Sequence, residues 1–300
     1  MESSPLISIG LPVSLFIIMI GIGMTLTLRD FRQVTVNPRG MVVGTIAQIL
    51  LMPLVAFGLA GLLGLAPALA VGLVIIAACP GGTTSNLFVL LARGNVALSI
   101  LLTVSASLIT ILSLPFFTNW ALQVYFGAQE EIVLPVGKTI AMLVGIVLFP
   151  VAIGMAIRTR SPATAQRAEG VVSVFGGIVL AVLIVGLLYG IRDRLGELLA
   201  GAGPAAIGLN VAGIVVGLLV SRLTGLSQRE SLAVAMELGI KNGTIALMVT
   251  LTLLESSEMS IPAAVYGVLM FVTGFVLVAI GRRLIPGAAT ARAEPVQSNP

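Results

Sequence analysis

Met236-Glu237-Leu238-Gly239-Ile240-Lys241-Asn242-Gly243-Thr244 lies in the middle of an apolar run from about Leu232 to Leu254, long enough to cross a bilayer. Two full charges, Glu237 and Lys241, stand where hydrocarbon would surround them, and Gly239 and Gly243 flank the lysine. Even on lenient scales a bare charge at the bilayer centre costs about 2.5–3.5 kcal/mol, so such residues face a partner or a wet cavity. The glycines loosen a helix and free backbone groups that, inside a membrane, only a cavity or a ligand can satisfy. A similar interruption, Cys79-Pro80-Gly81-Gly82-Thr83-Thr84-Ser85-Asn86, occurs far upstream. Two broken apolar segments in corresponding places of two halves are the sequence pointer to a transporter's binding site.

The composition sets the same frame. The 300 residues are 58% hydrophobic and 9% charged, with a mean hydropathy of +1.14, whereas soluble domains carry about 25% charged residues. An all-α polytopic membrane protein is expected. The apolar runs do not alternate with polar residues, which excludes a transmembrane β-barrel. The net charge of +4 comes from arginines spread over short loops, a topology signal rather than a nucleic-acid surface. With one cysteine and no histidine, an internal disulfide, imidazole metal sites and His-dependent catalysis are excluded. No cofactor and no obligate protein partner is indicated. The lipid bilayer is the expected surrounding.

Nine apolar segments can be marked, at about 7–28, 40–64, 68–91, 96–126, 134–157, 170–190, 204–221, 230–254 and 262–281. The first lacks a basic leader and reads as a retained helix rather than a cleaved signal. Loops after the odd-numbered segments carry Arg29, Arg93, Arg158, Arg222 and Arg282, while the opposite loops carry Glu130, Glu131, Glu197, Glu255 and Glu258. The positive-inside rule then places the C-terminus in the cytoplasm and the N-terminus outside. Residues 1–285 form the expected transmembrane domain, and 286–300, rich in Ala, Pro and Ser, the expected disordered tail.

The run Ala78-Cys79-Pro80-Gly81-Gly82-Thr83-Thr84-Ser85-Asn86, followed by Leu91-Ala92-Arg93-Gly94-Asn95-Val96-Ala97-Leu98-Ser99, resembles the bile acid:sodium symporter family. So do Gly21–Phe31 and the Glu237–Asn242 break, and the likeness extends over about Pro12 to Arg283. The resemblance implies an inverted-repeat transporter with a core domain and a panel domain, and two discontinuous helices crossing near the midplane. It implies repeats at about 7–126 and 134–281, four helices plus five, in the plasma (bacterial inner) membrane. Alternating access would move a small organic anion inward with sodium. Carried over residue by residue, the resemblance implies one sodium site of Ser85, Asn86, Ser99, Thr103 and Glu237. Ser99 and Thr103 share a helix face at i,i+4, and hard oxygen ligands with one carboxylate suit a small monovalent cation.

The family's second sodium position is matched by Gln48, but Lys241 stands where relatives have a glutamine. An ammonium cannot ligate sodium. The expectation is that it occupies this place permanently, paired with Glu237 and Gln48, since i,i+4 neighbours on a regular helix touch. Thr83, Thr84 and Asn242, at the helix restarts, are the candidate contacts to an anionic substrate; the plainer reading of the two threonines is helix capping. Lys241 leaves open an alternative with the same fold but proton-coupled or uncoupled transport. A proton antiporter would leave Ser85, Asn86, Ser99 and Thr103 without a role. An intramembrane enzyme lacks a nucleophile elbow or paired aspartates. A scaffold would bury polar groups to no purpose.

Overall fold

The computed structural model describes residues 10–27, 38–127, 134–190 and 192–285. They form eleven helices, α1 Leu11–Thr25, α2 Pro38–Leu62, α3 Pro67–Ala78, α4 Thr83–Leu91, α5 Val96–Phe126, α6 Val136–Arg160, α7 Pro162–Gly190, α8 Leu195–Leu223, α9 Gln228–Gly239, α10 Gly243–Leu253 and α11 Ser257–Leu284. No strand occurs among the described residues. In α2, α5, α6, α8 and α11 the helix is long and apolar enough to cross a membrane; α1, α3, α10 and Val174–Leu187 within α7 are shorter apolar helices. The molecule is an integral membrane protein. The expected tail, 286–300, lies outside the described residues.

Local sequence explains the helix limits. Asn95 caps α5, accepting a hydrogen bond from the Leu98 N–H at 3.1 Å, and Ser227 and Glu230 form a reciprocal capping box at the start of α9. Two helices begin earlier than hydropathy alone places them. Helix α7 starts at Pro162 and carries Arg167 in its opening turns, while α8 starts at Leu195 with Glu197 in its first turn. Polar first turns project beyond the apolar stretch, and Pro204 sits inside α8 rather than at its start. Two further prolines, Pro53 and Pro150, each follow a widened five-residue turn, Ala47–Leu51 and Val144–Leu148. A widened turn moves the carbonyl four residues back away from the proline ring, so the helix continues past a residue that would otherwise break it.

The helices pack in two groups. Helices α1, α6 and α7 lie against one another, and α2, α3, α5, α8, α9 and α11 form the larger group, in which α8 packs on α9 and α3 on α11. Backbones in the smaller group touch: a Cβ on Gly154 of α6 would collide with the Ile20 carbonyl, and one on Gly23 with the Val151 carbonyl. Lipid offers helices no hydrophobic drive to associate, so close van der Waals approach over small residues does that work. Helix α10 meets α1, and α4 and α11 meet α7, so the two groups join at the broken helices as well as where α5 packs on the first half of α6.

Candidate functional site

Helix α3 stops because Pro80 follows Cys79, which is extended with ψ at 149°, and two glycines delay the restart until Thr83. Helix α9 stops at Gly239; Ile240 is extended, and Asn242 caps α10 by accepting from the Ile245 N–H at 3.1 Å. These two extended stretches cross and pair. The Asn242 N–H donates to the Pro80 carbonyl at 2.8 Å, and Gly81 and Lys241 form an antiparallel bridge.

Breaking two helices inside a membrane frees carbonyls that need new donors, and three of them accept from side chains. The Cys79 carbonyl accepts from Lys241 Nζ at 3.1 Å. The Gly239 carbonyl accepts from Asn210 Nδ2 of α8 at 2.8 Å and from the Tyr266 hydroxyl of α11 at 2.9 Å. The Gly82 carbonyl accepts from the Ser85 hydroxyl at 2.7 Å. Asn210 and Tyr266 are both buried. A lone Asn in an apolar run is the signal that would have found the first of them.

Glu237 occupies the last turn of α9 and is fully buried. Its Oε2 accepts from Ser85 Oγ at 2.6 Å and from Ser99 Oγ at 3.3 Å, and its Oε1 from Thr103 Oγ1 at 2.7 Å. Ser99 Oγ also donates to Asn86 Oδ1 at 2.6 Å. The five residues expected at one sodium site are thus brought into one connected network from α4, α5 and α9. Each hydroxyl has one proton and two acceptors in reach. Ser85 can turn to the Gly82 carbonyl, Ser99 to Asn86 and Thr103 to the Ser99 carbonyl at 3.1 Å. With the protons on those second acceptors, three hydroxyl oxygens and the carboxylate all keep lone pairs free, a donor set of the type that hard cations take. Of the remaining α5 hydroxyls, Ser107 donates to the Thr103 carbonyl at 2.6 Å and Ser105 meets Thr45 at 2.8 Å, while those of Thr110, Ser113 and Thr118 have no hydrogen-bond partner among the described residues.

The second position departs from expectation. Lys241 is fully buried, but no ion pair joins it to Glu237, and its ammonium is on the Cys79 carbonyl instead. The i,i+4 relation holds only along a continuous helix. This helix ends at Gly239, so the extended backbone turns residue 241 toward the end of α3. Gln48, inside the widened turn of α2, is buried with neither amide atom partnered among the described residues.

Of the three candidate substrate contacts, Thr84 and Asn242 line, with Lys241, a half-open cavity of about 30 Å³ flanked by Ile18 of α1, Gly176 and Leu180 of α7 and Met270 of α11. The side chain of Thr83 lies outside the described residues. The cavity lies between the crossing and the smaller helix group.

Comparison with known proteins agrees with this arrangement. The profile of the sodium bile acid symporter family matches residues 12–197. The chain is 30% identical over 285 residues to the probable sodium/metabolite cotransporter BASS1 of Arabidopsis thaliana, covering 91% of this chain and 67% of that one. It is 32% identical over 274 residues to the uncharacterized sodium-dependent transporter YocS of Bacillus subtilis, covering 90% and 82%. To the human ileal sodium/bile acid cotransporter it is 29% identical over 241 residues, covering 80% and 68%. These relatives are transporters, not enzymes, and the chain belongs to the sodium bile acid symporter family.

Proposed function

We propose that this protein imports a small organic anion together with one sodium ion by alternating access across a bacterial inner membrane. The observation that carries the reading is the fully buried Glu237 carboxylate with three hydroxyls on it, each holding a second acceptor for its proton. Sodium is the coupling ion, bound by Ser85, Asn86, Ser99, Thr103 and Glu237, and the Lys241 ammonium, held on the Cys79 carbonyl, supplies the charge of a second sodium. The cotransporter names of the relatives support sodium coupling.

In this reading the chain crosses the membrane nine times, with α3–α4 and α9–α10 as the two broken crossings, N-terminus outside and C-terminus in the cytoplasm. Helices α1, α6 and α7 are the panel, and the larger group is the core. The repeats run over about 7–126 and 134–281 within a 1–285 transport domain, followed by a tail. One likeness between the halves supports the repeat: Arg93, just after α4, and Glu255, just after α10, are the two described non-glycine residues with positive φ, at 63° and 50°. The substrate anion binds at the cavity between the domains, against Thr83, Thr84 and Asn242, where two helix N-termini offer partial positive charge. Rocking of the panel against the core opens that cavity to one side and then the other.

Buried Lys241 favours a second reading, the same fold without sodium, driven by protons or uncoupled. Thermal unfolding of the purified protein in sodium against potassium or choline separates the two. A ligand at a hundred times its Kd stabilises by about 2.7 kcal/mol. The sodium reading expects a sodium-specific rise in Tm that Glu237→Gln abolishes; equal Tm in all three salts refutes it.

A further inference from the structure

Glu237 and Lys241 are the only charged side chains that are buried among the described residues. They share one crossing but not an ion pair: the carboxylate is held by hydroxyls and the ammonium by the Cys79 carbonyl. Their charges cancel in sum. Passing a proton from one to the other leaves that sum unchanged, so the empty site has no net charge in either state.

A symporter reorients twice in each cycle, once loaded and once empty, and net charge near the midplane is unfavourable in both passages. One sodium raises the sum to plus one. The sum returns to zero only when the accompanying solute brings a single negative charge. We propose that the protein carries one sodium with one monovalent organic anion per cycle, an electroneutral exchange of position in which Lys241 fixes the valence of the solute. The proposal rests on the sodium-coupled reading given above. A dianion with one sodium leaves the loaded carrier at minus one; two sodiums with a monovalent anion leave it at plus one. Lys241 therefore determines specificity through the charge count, while its ammonium stays bound to the end of α3.

The test uses the full chain in proteoliposomes under an inward sodium gradient at neutral pH. The external solution holds a defined mixture of monovalent anions (pyruvate, lactate, glycolate, pantoate and taurocholate) with succinate, malate and citrate. Internal solutes are identified by mass spectrometry, at zero potential and at a negative-inside potassium–valinomycin potential. The expected result is sodium-dependent accumulation confined to monovalent anions, unchanged by potential within about twofold. A carrier moving one net positive charge would instead accumulate about 50-fold more solute at about 100 mV. That rise, or sodium-dependent accumulation of a dianion or of citrate, overturns the proposal and leaves sodium coupling standing. Sodium-independent uptake, or no uptake of any anion, overturns the sodium-coupled reading and the proposal with it. Lys241→Arg keeps the charge count and is expected to stay insensitive to potential. Lys241→Gln leaves the empty site at minus one, so its uptake is expected to become potential-driven with a sodium Hill coefficient rising from about one toward two. A folded Lys241→Gln carrier with unaltered coefficient and no potential dependence refutes the role given to the lysine.

Discussion

Gly81 lies so close to the Glu237 carboxylate that a Cβ built on residue 81 would collide with it. The first break thus walls the Glu237 carboxylate of the second, at the proposed cation site. Gly81→Ala is expected to displace the carboxylate from Ser85 and Thr103. Overpacking of this kind costs about 1–3 kcal/mol, so the sodium-specific rise in Tm should shrink or vanish. Gly82→Ala, with no atom nearer than 3.3 Å to its Cβ, should keep most of that rise. Equal behaviour of the two variants would refute the contact.

Thr103 offers a finer probe. Its hydroxyl donates to Glu237 Oε1 at 2.7 Å in the empty site and, with its proton turned to the Ser99 carbonyl, offers the same oxygen to the ion; losing a group that holds a metal site costs about 10- to 100-fold in affinity. Thr103→Val is expected to weaken sodium by about 10- to 100-fold in titrations of Tm or uptake, while Thr103→Ser stays within about threefold of the parent. A valine variant with unaltered sodium response removes Thr103 from the site.

The two donors on the Gly239 carbonyl should behave as a coupled pair. Tyr266→Phe alone removes one of two bonds and is expected to cost about 1 kcal/mol. Combined with Asn210→Leu, it leaves a buried carbonyl bare, adding about 1–3 kcal/mol beyond the sum of the single changes. A double-mutant cycle in thermal unfolding measures this, and strict additivity would deny the shared acceptor.

Cys79 contributes its carbonyl rather than its thiol to the crossing, and the side chain is fully buried. A maleimide should therefore fail to label the folded protein in detergent and label it fully after unfolding. Cys79→Ala should keep sodium-dependent stabilisation, with a loss of Tm reflecting the smaller side chain alone. Rapid labelling of the folded protein would show that the crossing is open.

Much of this was legible before any coordinates. The two interruptions, at Cys79–Asn86 and Glu237–Gly243, are visible as charge and glycine where apolar residues belong. The i,i+4 spacing of Ser99 and Thr103 puts both hydroxyls on one side of α5, whose limits, 96–126, follow from the apolar run and its Asn cap. The direction of Lys241 was not legible. An i,i+4 spacing presumes one continuous helix, and this one is interrupted between Gly239 and Gly243. Asn210 stands out in its apolar run, but that it and Tyr266 donate to the Gly239 carbonyl is not readable in sequence, because both belong to segments remote from the break and reach it only through packing. The early starts of α7 and α8 were hidden for a different reason: hydropathy registers apolar residues, and these first turns are polar.

The pairing of Asn242 with Pro80 also concerns how the protein is made. Residues in contact at the crossing are separated by 162 positions, as Cys79 and Lys241 are. When the ribosome has delivered α3 and α4 to the membrane, the Cys79 and Pro80 carbonyls between them await donors, Lys241 and Asn242, that are not yet synthesised. Those donors arrive only with α9 and α10. Biogenesis therefore passes through a half-inserted stage whose first broken segment must be sheltered by the insertion machinery or by water. The native core closes as a late, long-range step, so a truncation anywhere before Asn242 leaves the first half unable to finish folding.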